Sequence, residues 1–215
     1  MLIFFLVLGG IIWIRRFDRE MTDLGNSLKG KRAGVFVWIC GVNDLLLIWL
    51  TRGRMIGWYL LFCVVGACLL TACITDLQTC QVHNFIWWIA GAAATAMLAA
   101  AGSRKENLIF LVLFCLLQQL LFSRFYGRAD CHGFCVCAAA ECAMGISPAG
   151  FFLHMLFAFG ALALVQTFRR NIGADGNLKE AVPFLPYITV SFWFLLFLAV
   201  RHEDFSFLAY LCKYY

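Results

Sequence analysis

The chain has 215 residues, 63% of them hydrophobic and only 13% charged, with a formal net charge of +5. A soluble domain is about 45–50% apolar and about 25% charged, so too little polar surface is left here to clothe a water-soluble globule. The composition excludes a soluble enzyme and predicts an all-α polytopic membrane bundle.

In chain order, apolar segments at 1–14, 35–51, 55–75, 85–102, 108–124, 134–147, 151–168 and 187–200 predict about eight transmembrane helices in one integral membrane domain. Residues 1–54 hold the N-terminal helices and a basic loop, 55–200 the core, and 201–215 a tail. The first segment lacks a basic leader and a small-residue cleavage site, and Arg15-Arg16 follows it directly, so it reads as an anchor. The connection from Arg15 to Gly34 is basic and juxtamembrane, and that at 169–186 contains the turn-forming run GADGN.

With the N-terminus outside, the inner connections carry eleven Lys or Arg (Arg15, Arg16, Arg19, Lys29, Lys31, Arg32, Arg124, Arg128, Arg169, Arg170 and Lys179). The outer ones carry six: Arg52, Arg54, Arg104, Lys105, Arg201 and Lys213. Positive loops stay inside, which puts Asp76 and Asp130 at cytoplasmic helix ends. The net charge follows from this topology and calls for no nucleic acid.

Eleven cysteines lie mostly within apolar runs, where Cys behaves as a small hydrophobe. Cys131, His132, Cys135, Cys137 and Cys142 come nearest to a metal set, and Cys131, Cys135 and Cys142 share one helical face. Zinc sites usually draw on spaced ligand pairs, and no second Cys/His cluster completes this one. The expectation is no metal and no cofactor.

Four carboxylates, Asp44, Asp76, Asp130 and Glu141, fall in or beside the apolar segments. Such residues are costly in a membrane and are candidates for function, the plain alternative being solvation at the interface. Asp76 and Asp130 end and begin segments on the same predicted side, so a folded bundle can bring them together. Two carboxyls a few ångströms apart share one proton near neutral pH. The ionised one draws a proton from water while its protonated partner hydrogen-bonds a peptide carbonyl. Glu141 lies about 16 Å along a helix from Asp130, too far for a dyad, and reads as structural.

The stretch TDLQTCQVHN, Thr75 to Asn84, resembles the motif of type IV prepilin peptidases in which an Asp ends a helix and a short loop closes with Ile-Pro-Asn. Val82, His83 and Asn84 occupy the last places, with His83 where Pro is usual. Gly127-Arg128-Ala129-Asp130 resembles the family's GxGD motif, with Ala129 at the second Gly and His132 where Lys is usual. The run VPFLPY, with Pro183 and Pro186, resembles a third family stretch before the last helix. Order and spacing agree across roughly Gly66 to Trp193.

The resemblance implies an intramembrane aspartic endopeptidase with Asp76 and Asp130 catalytic. Asn84, Gly127, Ala129, His132, Pro183 and Pro186 would position or bind the substrate. It further implies a pilin-like precursor as partner, a short basic leader cleaved at the cytoplasmic face, and a multi-pass location in a prokaryotic plasma membrane. Many members also N-methylate the product with a cysteine-bearing insert after the first helix. Here that connection is short and free of cysteine, which implies a peptidase-only form. Two other readings stay open: a proton-coupled carrier using the same acids, and a non-catalytic assembly factor on the same scaffold.

Overall fold

The fold is seen in a computed structural model that describes residues 2–17, 37–45, 56–171 and 182–200. The basic connection, most of the GADGN connection and the C-terminal tail lie outside the described residues. Every described element is helical. They are α1 (Leu2–Phe17), α2 (37–45), α3 (Ile56–Thr79), α4 (Asn84–Ala101), α5 (Lys105–Leu120), a 3-10 turn (Phe122–Arg124), α6 (Arg128–Ala143), α7 (Pro148–Asn171) and α8 (Leu185–Val200).

Four stretches are long and apolar enough to cross a membrane: Ile56–Leu77, Asn84–Ala101, Lys105–Arg124 and Pro148–Phe168. Leu2–Ile12 and Leu185–Ala199 are shorter apolar helices. The expected segments 55–75, 85–102, 108–124 and 151–168 coincide closely with the four. The expected segment at 134–147 is shifted. Its helix, α6, begins six residues earlier, at Arg128, and stops at Ala143.

The cause of that shift is local. The first turn of α6 carries Arg128 and Asp130, so apolarity does not mark where the helix begins. Its end is set by Gly145, whose φ of 84° is open to glycine at little cost. The Ile146 N–H then donates to the Glu141 carbonyl at 3.0 Å, which closes the helix in the six-to-one pattern of a Schellman cap.

The chain divides into two compact units, Met1–Ala100 and Ala101–Tyr215. In the first, α1 packs on α3. Ile3, Val7 and Ile11 are buried at four-residue spacing, a single stripe of α1. Two buried hydroxyls of α3 are satisfied inside the helix: Thr71 donates to the Ala67 carbonyl at 2.8 Å, and Thr75 to the Ala72 carbonyl at 2.9 Å. A polar side chain in a bilayer-length helix needs such a partner, because hydrocarbon offers none. The N-terminus of α1 is held too, since the Ile3 N–H donates to Asp44 Oδ1 at 3.2 Å.

In the second unit, α6 packs against α5, α7 and α8, and α7 against α8. Ten of the sixteen residues of α6 are buried, Gly133, Phe134 and Glu141 among them. By contrast, α5 buries only Leu111, Phe114 and Gln118. Its Ile109, Phe110, Val112, Leu113, Leu116 and Leu120 are exposed. An outer face as apolar as the core is what a lipid-facing helix presents, and it far exceeds the patches of soluble monomers.

Candidate functional site

Asp76 sits in the last turn of α3 with its side chain buried. The helix ends just beyond it through an unusual cap. Cys80 adopts φ 51° and its N–H donates to the Asp76 carbonyl at 2.9 Å. This is the left-handed cap that usually falls to Gly, so the chain turns sharply one helical turn after the acid. The loop 81–83 leads into α4, which opens at Asn84 with an exposed side chain. His83, half-buried, takes part in that opening: its carbonyl accepts the Ile86 N–H at 3.1 Å, and its ring lies 5.9 Å from that of Phe85.

Asp130 lies in the first turn of α6, after Gly127 at the N-cap. Its N–H donates to the Gly127 carbonyl at 3.1 Å, and its carboxylate turns back over the same residue. A Cβ on residue 127 would stand 3.0 Å from Asp130 Oδ2. Gly127 has φ −61° and ψ 148°, a backbone open to any residue. Glycine is favoured here by the closeness of the carboxylate and not by backbone freedom.

Ala129 occupies the second helical position of α6, and the positive-φ residues of the described chain do not include it. Ala is the best helix former. A second glycine in the stretch is therefore not needed to build this turn.

Three further candidates, His132, Pro183 and Pro186, lie with Asp130 in the second unit. His132 Nδ1 lies 3.2 Å from Gln119 Nε2 on α5, and the same Nε2 donates to Cys135 Sγ at 3.7 Å. Burial, with Arg128 beside it, holds the His132 imidazole below its ordinary value. Pro183 precedes α8 and Pro186 lies in its first turn, where a missing N–H costs nothing.

The residue after Pro183 brings the second and third motifs together. Phe184 packs at 4.9 Å from Phe159 and 5.9 Å from both Tyr126 and Phe134. Tyr126 directly precedes Gly127, and its hydroxyl donates to Gln118 Oε1. Burial first, then neighbouring Cys131, pushes its phenol well above the ordinary value. An aromatic cluster thus seats the loop that ends at Gly127, ahead of the helix that carries Asp130. Asp76 belongs to the first unit and Asp130 to the second.

Glu141 is fully buried and pairs with His154, whose Nδ1 lies 2.7 Å from Glu141 Oε1. The sequence offered no sign of that partner, because His154 lies on another helix thirteen residues along. Among the described residues no three His, Cys, Asp or Glu side chains converge as a metal-holding group.

The first unit also has a cavity of about 410 Å³ lined by residues of α1, α3 and α4, including Gly9, Gly10, Ala67, Thr71 and Phe85. Its surface is nearly all apolar.

The chain matches no protein-family model, and no curated protein or solved structure aligns with it significantly.

Proposed function

We propose that this chain is an intramembrane aspartic endopeptidase acting on pilin-like precursors, with Asp76 and Asp130 as its dyad. The reading takes the chain as a multi-pass protein of a prokaryotic plasma membrane, with about eight spans and both acids at the cytoplasmic face. The observation that carries it is the seat of Asp130. The carboxylate is half-buried at the start of its helix and folded onto the glycine ahead of it. The other support is the resemblance in order and spacing of the three motifs.

The helix ends support a division of roles within this reading. Asp130 lies at an N-terminal turn, the positive end of the helix dipole, which favours a negative carboxylate by about 0.3–1 kcal/mol. Asp76 lies in a C-terminal turn, where the dipole opposes charge by a similar amount. With one proton between them, it rests on Asp76. Asp130 then acts as the base that takes a proton from the attacking water. Asp76 donates its hydrogen bond to the scissile carbonyl, and the proton passes to the leaving amine as the tetrahedral centre collapses. Substrate would present a basic leader at the cytoplasmic side and an apolar helix within the bilayer.

The test is co-expression with a pilin-like precursor: a shortened product with the wild type, and none with Asp76→Asn or Asp130→Asn. One observation favours a second reading, a proton-coupled carrier, namely the buried pairing of Glu141 with His154. That reading expects substrate movement against a gradient and no shortened precursor. A non-catalytic assembly factor expects precursor binding without cleavage.

A further inference from the structure

The first unit holds a gap that its own packing does not fill. Among the described residues α1 packs on α3, and α4 makes no comparably close pairing with either. The cavity of about 410 Å³ lies among these three helices. Its wall on α3 is Val64, Ala67, Cys68 and Thr71, a single face at three- and four-residue spacing. On α1 the wall is thinned at Gly9, where a Cβ would meet nothing within 4 Å. Leu6 of α1 and Ile89 of α4 also line it and are 37% and 48% exposed, so the rim is apolar as well. Both α3 and α4 are long and apolar enough to cross a membrane, and at that depth the surroundings are hydrocarbon.

Chemistry and size narrow the occupant. No charged side chain lines the cavity, and the Thr71 hydroxyl already donates to the Ala67 carbonyl at 2.8 Å. A polar ligand would give up its water there and gain no partner. From Val64 to Thr71 the wall rises about 10 Å, so the volume has a cross-section of about 40 Å². A helix with its side chains is about 10–12 Å across, or about 80–110 Å², and is too wide. An alkyl chain, whose carbons pack about 4 Å from their neighbours, fits.

We propose that this cavity binds one acyl chain of a bilayer phospholipid, with the headgroup left outside at the membrane surface. An apolar cavity of about 150 Å³ already stays dry and takes up benzene, and this one is larger and rimmed by apolar side chains. The seated chain supplies the packing that α4 does not make with α1 and α3, and so ties the three helices together. The site is separate from the proposed cleavage chemistry. On an ideal helix Asp76 lies about 130° round α3 from the middle of the cavity face, so the inference stands whether or not the chain cleaves peptides.

The test uses the full chain in detergent and a phosphatidylcholine with a photoreactive diazirine midway along one acyl chain. Crosslinked peptides are mapped by mass as the probe lipid is titrated. Labelling of residues 6–10 and 64–71 should saturate near one lipid per chain. Labelling of the exposed face of α5 should instead rise in proportion to the lipid added. Gly9→Leu puts a side chain into the open space and should lower cavity labelling at least tenfold, leaving α5 unchanged. Gly91→Leu fills open space at a glycine that does not line the cavity and should keep the labelling. Both variants should fold, since Leu favours a helix over Gly. Unlabelled phosphatidylcholine should displace the probe at lower concentration than oleic acid does. Labelling that never saturates, or that survives Gly9→Leu, would overturn the proposal, as would displacement by oleic acid alone. The wild-type titration decides if Gly9→Leu does not fold.

Discussion

Asp130 and Gly127 are locked face to face: the carboxylate oxygen Oδ2 would lie 3.0 Å from any Cβ placed on residue 127. Since the backbone there accepts other residues, Gly127→Ala should leave the fold intact and push the carboxylate aside by a few tenths of an ångström. Misplacement of about 1 Å can cost about 100-fold in rate, so a loss of roughly tenfold in precursor cleavage is expected. Circular dichroism and thermal melting should show little change. A full loss of folding would mean that residue 127 serves the helix and not the acid.

The cap after Asp76 can be tested separately. Cys80 holds a left-handed backbone at φ 51°, a conformation that costs an L-residue about 1–2 kcal/mol and glycine nothing. Glycine loses about 0.5–1 kcal/mol of that gain through entropy. Cys80→Gly should therefore match or slightly exceed the wild type in thermal stability, whereas β-branched Cys80→Val should melt below the wild type, having a still stiffer side chain in that conformation. Equal melting of the two variants would remove the cap argument.

Asp44 was one of four acids open to a functional reading, and the fold gives it a structural task. Its Oδ1 accepts the N–H of Ile3 in the first turn of α1, one of the donors a helix start leaves unpaired. Asp44→Asn keeps an acceptor oxygen and should cost little. Asp44→Ala strands a buried donor and should cost about 1–3 kcal/mol, read as a lower melting temperature in detergent. Similar melting of both variants would point to a different role for the acid.

His132 predicts a pH effect of definite sign. Burial and Arg128 disfavour its protonated form in the folded chain, while an unfolded imidazole takes up a proton below about pH 6.5. The unfolded state then binds more protons, so stability is full above that pH and declines as pH falls. His132→Gln should lessen the drop in melting temperature between about pH 7 and pH 5. A steeper drop in the variant would reverse the sign and contradict the assignment.

The long helices were legible because their apolar runs are uniform and bounded by polar turns: α3, α4, α5 and α7 begin and end close to the expected places. The start of α6 was not, since Arg128, Asp130 and His132 make its first turns look like loop. Within the site, an acid beside an apolar segment pointed to Asp130, and the resemblance pointed to its glycine. They could not show that Ala129 sits in ordinary helical backbone, which makes the missing second glycine harmless to this turn. Nor could they pair Glu141 with His154 on another helix, or Tyr126 with Gln118, because neither His154 nor Gln118 stands out in its own segment.

The central claim is that Asp76 and Asp130 act on one peptide bond, and precursor cleavage tests it most directly. Purified wild type, Asp76→Asn and Asp130→Asn would be incubated with the same pilin-like precursor in lipid, and the product mass measured. The account predicts a leader-less product from the wild type only, with both variants folded and at least about 1,000-fold slower, as loss of a general acid or base allows. Cleavage by either Asn variant at the wild-type rate would contradict it.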